Sequence, residues 1–525
     1  MRIRPLLRLS GFLLPRAHFQ QIRLTSMSSA QASVFGLNDM SLVKTQAFID
    51  GKWVDAKGGE TIPVTNPATQ EVLGTVPEMG VAETKDAINA AAKAFPEWSR
   101  TTAKHRHDIL MKLFALMHEH HDDLGRLITL ENGKTLVDGK GENTFSASFI
   151  ELTGTTAEEA VRTYGQYIPS AFPSLRNVTI KQPVGEPVAQ CSIITPWNFP
   201  SATITRKLGA VLAAGCTAVI KPPPETPFSC LALVELARRA GVPDGVINVV
   251  TTLKNVREVG REMCENPIVK KVSFTGSTAL AKSLATMSAS TLKKVSIEAG
   301  GNAPFIVFDD ANIEEAVEGA IFCKFRTSGQ TCVCANRIYV QSSVYAEFAS
   351  RLTEKVANFK VGDGLDESTT HGPLIHMRAL DKVKAHIEDA IKHGAQVLAG
   401  GSAKEGTSFF HPTILSDVPT TALINREETF GPLAALIKFE TENEVIALAN
   451  DSNVGLAGYF YSQDVGRVWR VAERLEVGMV GCNSGLISQA VIPFGGVKES
   501  GLGREGGPGI TEYMNTKLIV FGGVA

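Results

Sequence analysis

Between residues 188 and 274, four short apolar runs (188–194, 217–220, 246–250 and 272–274) alternate with stretches of helical periodicity at 203–214, 228–240 and 256–264. A strand that is apolar on both faces must be covered on both. A helix between successive strands does this and brings the chain back to the same edge. The alternation predicts an α/β fold: a Rossmann-type domain with a parallel sheet and helices on both faces. Such sheets take ligands beyond the carboxyl ends of their strands, often with a phosphate at a helix N-terminus. The Gly-x-Gly-x-x-Gly signature is absent. After Phe274 comes Thr275-Gly276-Ser277-Thr278, one glycine and three hydroxyls opening a helix. These still offer free N–H groups and a close backbone approach to an anion, although Ser or Thr at a helix start is more often only a cap.

Upstream, residues 44–65 alternate apolar and polar and read as short strands or hairpins, followed by helices over 82–95 and 103–129. The second carries five histidines, of which His118 and His121 share a face. No third ligand has a suitable spacing, so they read as a solvated face and no metal site is expected. Beyond Asn302 a second alternating segment runs to about Val480, with a helix at 313–325, a strand at 337–340 and helices at 344–358 and 379–393. This predicts a second α/β lobe, and 525 residues are ample for two.

A net charge of −2 gives no basic excess for nucleic acid, and the apolar run 208–220 is too short to cross a bilayer. The eight cysteines show no disulfide or zinc spacing, which fits a reducing compartment. The first 26 residues stand apart: Arg2, Arg4, Arg8, Arg16 and Arg23 among leucines, with no acidic residue before Asp39. They read as a mitochondrial transit peptide that directs the chain to the matrix. The alternative is a basic tail, bypassed by initiation at Met27 or Met40, and a cytoplasmic protein.

Cys332 lies in a short polar turn, Thr327-Ser328-Gly329-Gln330-Thr331-Cys332, among small neighbours that leave a sulfur accessible. Thiols are the strongest side-chain nucleophiles near neutral pH, though a free cysteine is more often a buried hydrophobe. Six motifs decide between these. Pro196-Trp197-Asn198-Phe199-Pro200, Phe274-Thr275-Gly276-Ser277, Glu298-Ala299-Gly300-Gly301-Asn302, Gly329-Gln330-Thr331-Cys332, Glu428-Thr429-Phe430-Gly431-Pro432 and Pro493-Phe494-Gly495-Gly496 occur in this order. Together they resemble the NAD(P)-dependent aldehyde dehydrogenase superfamily over residues 44–523. Within it, Phe199-Pro-Ser-Ala-Thr-Ile-Thr-Arg-Lys207, the segment 324–337, Gly485-Leu-Ile-Ser488 and Ser500-Gly-Leu-Gly-Arg-Glu505 are most similar to succinate-semialdehyde dehydrogenases.

The resemblance implies oxidation of succinate semialdehyde to succinate, a step of GABA catabolism, through a thioester on Cys332. The Asn198 amide and the Cys332 N–H would hold the oxyanion, and Glu298 would activate water. Around the cofactor it places Trp197, Lys221, Gly276, Ser277, the Ala299 carbonyl, Glu428 and Phe430. Pro224 stands where NAD-preferring relatives carry a glutamate, so NADP is admissible and the choice between NAD and NADP stays open. A substrate with a distal carboxylate asks for cations. Arg206 and Arg326, with the Ser488 hydroxyl, are the candidates. Cys334 is a candidate redox partner for Cys332. The implied organisation is a cofactor domain from 44–170 and 189–299, a catalytic domain from 300–484, and an oligomerisation element from 171–188 and 485–525. In that element 177–183 would pair with 517–521 and support a homodimer or homotetramer. No nucleic-acid or membrane partner is implied. The rival readings are a dehydrogenase of another acid semialdehyde such as glutarate semialdehyde, a coenzyme-A-acylating relative, and a non-catalytic structural relative.

Overall fold

A computed structural model describes residues 34–163, 166–183, 190–507 and 509–523; the 1–26 leader lies outside them. An eight-stranded sheet takes the order Lys52–Val54, Ala47–Ile49, Ile247–Val249, Thr217–Lys221, Gln190–Ile194, Val269–Thr275, Lys294–Glu298 and Gly501–Leu502. Ile247–Val249 through Lys294–Glu298 run parallel, and the strands flanking them at either side are antiparallel. Helices Ala202–Ala214, Pro227–Ala240 and Val256–Glu265 make the crossovers, and the parallel strands are buried almost throughout, as strands covered on both faces must be.

Register decides where the loops emerge. Ile194 lies opposite Lys221 and Phe274, and Thr275 lies opposite Glu298. The strands therefore end level and send the Trp197–Asn198, Gly276–Ser277 and Ala299–Gly300 loops out of one edge. A second sheet of seven strands has Ala335–Gln341 between Leu433–Phe439 and Ala303–Val307, and the Cys332 turn leads directly into Ala335–Gln341. A third sheet pairs Met514–Phe521 with Arg176–Pro183, and that strand with Gln166–Ile168.

Two expectations need correction, and one helix was not anticipated. The single helix over 103–129 is two, Ala103–Glu119 and His121–Asn132, broken at His120. The second begins with Asp122 and Asp123, and the buried Asp123 carboxylate accepts the N–H groups of Asn38 and Asp39 at 2.7 and 2.8 Å. That tie fixes the start of a new helix which periodicity cannot distinguish from a continuation. Next, the 28-residue helix Leu136–Thr163 carries no apolar stripe. Gly139 serves a close crossing instead: a Cβ there would lie 2.5 Å from the Gly125 carbonyl oxygen. Last, the 485–525 segment is not all oligomerisation element. Gly501–Leu502 extends the eight-stranded sheet, Val497–Lys498 pairs with Val454–Gly455, and Ser488 and Phe494 wall a cavity at Cys332.

Candidate active site

The helix Ile313–Phe325 ends in a turn in which Thr327, Ser328 and Gly329 all have positive φ, at 53°, 54° and 73°. Two consecutive non-glycine residues in this region, one of them β-branched, are strained and need outside support. Ser328 Oγ donates to the Gly372 carbonyl at 2.8 Å, and the Gln330 side-chain oxygen accepts from the Ile375 N–H at 3.0 Å. The turn delivers Cys332 to the place where two cavities of about 240 Å³ each meet. Four residues line both: Asn198, Thr275, Glu298 and Cys332. The nucleophile, amide and carboxylate singled out from the sequence thus share one constriction, with Thr275 added.

Asn198 is buried, and one of its amide hydrogens is committed to the Gln330 carbonyl at 3.2 Å, which ties the two loops together and leaves the other free. Among the described residues the Cys332 N–H meets no acceptor. Glu298 is buried with Oε1 lacking any partner. Burial, then the neighbouring Glu505 carboxylate, push it up to about 7, against the opposing pull of Lys207 and Arg206. The Cys332 thiol is itself pushed well up, by burial and then by the Glu298 carboxylate. The residue is partly exposed where it borders both cavities, as its small neighbours lead one to expect, but its thiol is not readily ionised and needs a base.

The first cavity is lined by Trp197, Gly276, Ser277, Gly300, Glu428 and Phe430 with the shared four. The Trp197 and Phe430 rings meet edge to face at 5.6 Å. Ser277 is the N-cap of Thr278–Ala289 yet makes no side-chain capping bond, so its hydroxyl is available to a ligand. Glu428 accepts the Gly301 N–H at 3.3 Å, and burial raises it to about 7. A Cβ on Gly300 would stand 2.7 Å from its other oxygen, so a larger residue would push that carboxylate aside. A glycine-lined wall, an uncapped helix start and a carboxylate suited to hydroxyl groups fit the ribose and nicotinamide of a dinucleotide. Lys221 and Ala299 are not brought to this wall. Lys221 ends its strand as a buried amine, lowered to about 8 by burial and partly restored by Glu225 and Glu78. Ala299 sits behind Gly300 and donates its N–H to the Ser500 carbonyl at 2.8 Å.

The second cavity collects Arg206, Arg326 and Ser488 with Phe145, Phe199 and Phe494. Arg206 is held 4.2 Å from the Phe494 ring centre, 3.7 Å from a Glu505 oxygen and 3.5 Å from Ser488 Oγ. Arg326 lies between the Phe199 and Phe322 rings at 5.7 and 5.3 Å, and among the described residues no carboxylate comes within ion-pair distance of it. One guanidinium is thus part-neutralised and the other offered whole. The sequence reading missed Thr275, the three phenylalanines, and the Lys207–Glu505 pair, with Lys207 also donating to Thr275 Oγ1 at 2.7 Å. Glu505 stood in a quoted motif with no task attached. The phenylalanines are spread over some 350 residues of chain, and only the fold assembles them. Cys334 is buried, its thiol 3.8 Å from the Lys324 carbonyl, and no group of three or more potential metal ligands occurs among the described residues.

The aldehyde dehydrogenase family model matches residues 53–519. This chain belongs to that family. It is 58% identical over 484 residues to a glutarate-semialdehyde dehydrogenase from Pseudomonas putida, which covers 92% of this chain and 99% of the relative. It is 56% identical to an NADP-linked succinate-semialdehyde dehydrogenase from Escherichia coli, over 93% of this chain and 99% of that one. A crystal structure of an E. coli NADP-dependent enzyme superposes with a TM-score of 0.90 at 55% identity, covering 93% of this chain and all of the other. As a member of the family, the chain has the α/β architecture expected from its alternating runs, and it is an oxidoreductase.

Proposed function

We propose that the protein oxidises succinate semialdehyde to succinate with NAD or NADP. The observation that carries this is the placement of Cys332, Asn198 and Glu298 at the meeting point of a glycine-lined cavity and one furnished with two arginines. An aldehyde carbonyl has no electron push behind its hydrogen. Addition of the Cys332 sulfur, whose proton passes to Glu298, makes a tetrahedral thiohemiacetal whose oxyanion supplies that push. The free amide hydrogen of Asn198 and the Cys332 N–H meet that oxyanion. When bound, the oxidised nicotinamide ring supplies positive charge beside the thiol and the acceptor for the departing hydride. Glu298 releases the thiol proton to solvent and then deprotonates the water that opens the thioester, the Cys332 sulfur leaving as the acid forms. Arg326, with Arg206 and Ser488, holds the distal carboxylate. Trp197, Gly276, Ser277, Glu428 and Phe430 hold the nicotinamide half of the cofactor, with Ala299 and Lys221 behind.

Glutarate semialdehyde is the second reading, favoured by the P. putida relative, since one more methylene leaves every catalytic group in use. Pro224 and the nearby Lys221 favour NADP. The decisive measurement is kcat/KM for four- and five-carbon acid semialdehydes with each coenzyme. We expect the four-carbon acid with NADP to lead, and the rate to fall as pH drops through about 7, where Glu298 takes up its proton. Glu298→Gln removes the base for both proton transfers, so it should slow release of the first equivalent of reduced coenzyme as well as the steady rate. A steady rate near wild type would remove Glu298 from the scheme and bring back the coenzyme-A-acylating reading.

Several further readings stand as proposals. Residues 44–170 with 189–299 form the cofactor lobe and 300–484 the catalytic lobe. The sheet built on Arg176–Pro183 and Met514–Phe521 makes the contacts of a homodimer or homotetramer; Leu518, Val520 and Phe521 on it are exposed. The Arg-rich leader directs the chain to mitochondria. Cys334 pairs with Cys332 under oxidation, the two thiols giving two protons and two electrons to a peroxide, once the turn opens to bring them together. Equal reversible inactivation of wild type and Cys334→Ala by peroxide would exclude that pairing.

A further inference from the structure

The helix His121–Asn132 ends at Gly133, and the chain resumes as a helix at Leu136. Asn132 and Lys134 in this link, and Glu142 one and a half turns into the next helix, are all buried, at 0%, 3% and 1% exposure. None of them lines either cavity, and none falls in a recognised motif. A buried ion pair adds little stability over an apolar pair of the same volume, so its retention asks for another reason. Its hydrogen bonds supply one. Lys134 Nζ donates to a Glu142 oxygen at 2.6 Å and to the Asn198 carbonyl at 2.8 Å, and lies 4.2 Å from the Phe199 ring centre. The other Glu142 oxygen accepts the N–H groups of Ser201 and Ala202 at 2.9 and 3.2 Å, at the start of the helix carrying Arg206 and Lys207. Asn132 Nδ2 donates to the Trp197 carbonyl at 2.8 Å. On its far side the link is tied to the nucleophile turn, because the Leu136 N–H donates to the Gly364 carbonyl at 2.8 Å. The chain then runs on to Gly372 and Ile375, the partners of Ser328 and Gln330.

We propose that Lys134, held by Glu142, is a positioning residue for Asn198: its hydrogen bond to the Asn198 carbonyl sets the orientation in which the side-chain amide meets the oxyanion. This rests on the reading of Asn198 as an oxyanion donor. A donor displaced by about 1 Å loses much of its effect, on the order of 100-fold in rate, without any change in what binds. Lysine is suited to the task because its ammonium reaches the carboxylate and the carbonyl at once.

The test compares Lys134→Met, Asn198→Ala and the double variant K134M/N198A with wild type. It reads kcat, coenzyme KM and the rate at which iodoacetamide alkylates Cys332. Asn198→Ala should lose about 100- to 1,000-fold in kcat. Lys134→Met should lose about 100-fold, with coenzyme KM and alkylation within about twofold of wild type. In the Asn198→Ala background the lysine change should cost less than about threefold more, because the group it positions is gone. A full further loss in that background, or alkylation falling in step with kcat, overturns the positioning role and leaves the oxyanion reading intact. Asn198→Ala within about threefold of wild type removes that reading and the proposal with it. Should Lys134→Met fail to fold, K134M/E142Q, which leaves no lone buried ion, carries the same comparison.

Discussion

Replacing Cys332 with serine is expected to lower kcat for an acid semialdehyde by at least about 10,000-fold while the coenzyme still binds. The two side chains are close in shape, so the constriction between the cavities keeps its form. What changes is the nucleophile. The thiol is already pushed well above its ordinary range by burial and by Glu298, and a hydroxyl in the same place starts far higher. Glu298, at about 7, can ionise this thiol in small measure and a hydroxyl scarcely at all. Coenzyme binding is followed through fluorescence of Trp197, which lines the first cavity, and turnover through coenzyme absorbance. A serine variant within about tenfold of wild type would overturn the covalent route.

Arg326→Ala carries the second large effect. Removing one member of a desolvated, charge-assisted contact costs about 2–5 kcal/mol, which is a fall of about 30- to 5,000-fold in kcat/KM for the acid semialdehyde. A neutral aldehyde of equal length, such as butanal, makes no such contact and should change less than about threefold. Equal losses on both substrates would mean that the arginine supports the turn rather than the carboxylate. Arg206→Ala is a less selective probe, since Arg206 also faces Glu505 and helps to hold Glu298 down. Its removal should shift the acid limb of the rate profile to higher pH, because Glu298 loses a cation that favours its charged form.

The fold was legible where packing imposes a pattern. Strands buried on both faces must be apolar throughout, and the runs ending at Ile194, Ile220, Val250 and Phe274 announced themselves that way. The Leu136–Thr163 helix did not, because it is adapted to a close crossing at Gly139 rather than to an apolar stripe. Cys332, Asn198 and Glu298, which the fold brings to one constriction, were singled out because each sits in a compact motif at a loop. Lys134 and Glu142 were not: a lysine and a glutamate eight residues apart look like any solvated pair until the fold buries them. The same holds for Glu505, whose effect on Glu298 crosses more than 200 residues of chain. Ionisation was the least legible property, since it depends on what the fold gathers around a group: Cys332 is partly exposed as its small neighbours suggested, but they do not reveal the carboxylate beside its thiol.

The guanidinium of Arg326 stands in an aromatic setting, and no carboxylate among the described residues lies beside it. Such a charge draws in whatever anion the medium contains, so chloride, acetate or phosphate from a buffer will compete with the substrate's own tail. Apparent affinities for acid semialdehydes will therefore depend on the salt in which they are measured. In a cell, the pool of small dicarboxylates, product included, will set the working sensitivity of the enzyme as much as the aldehyde does.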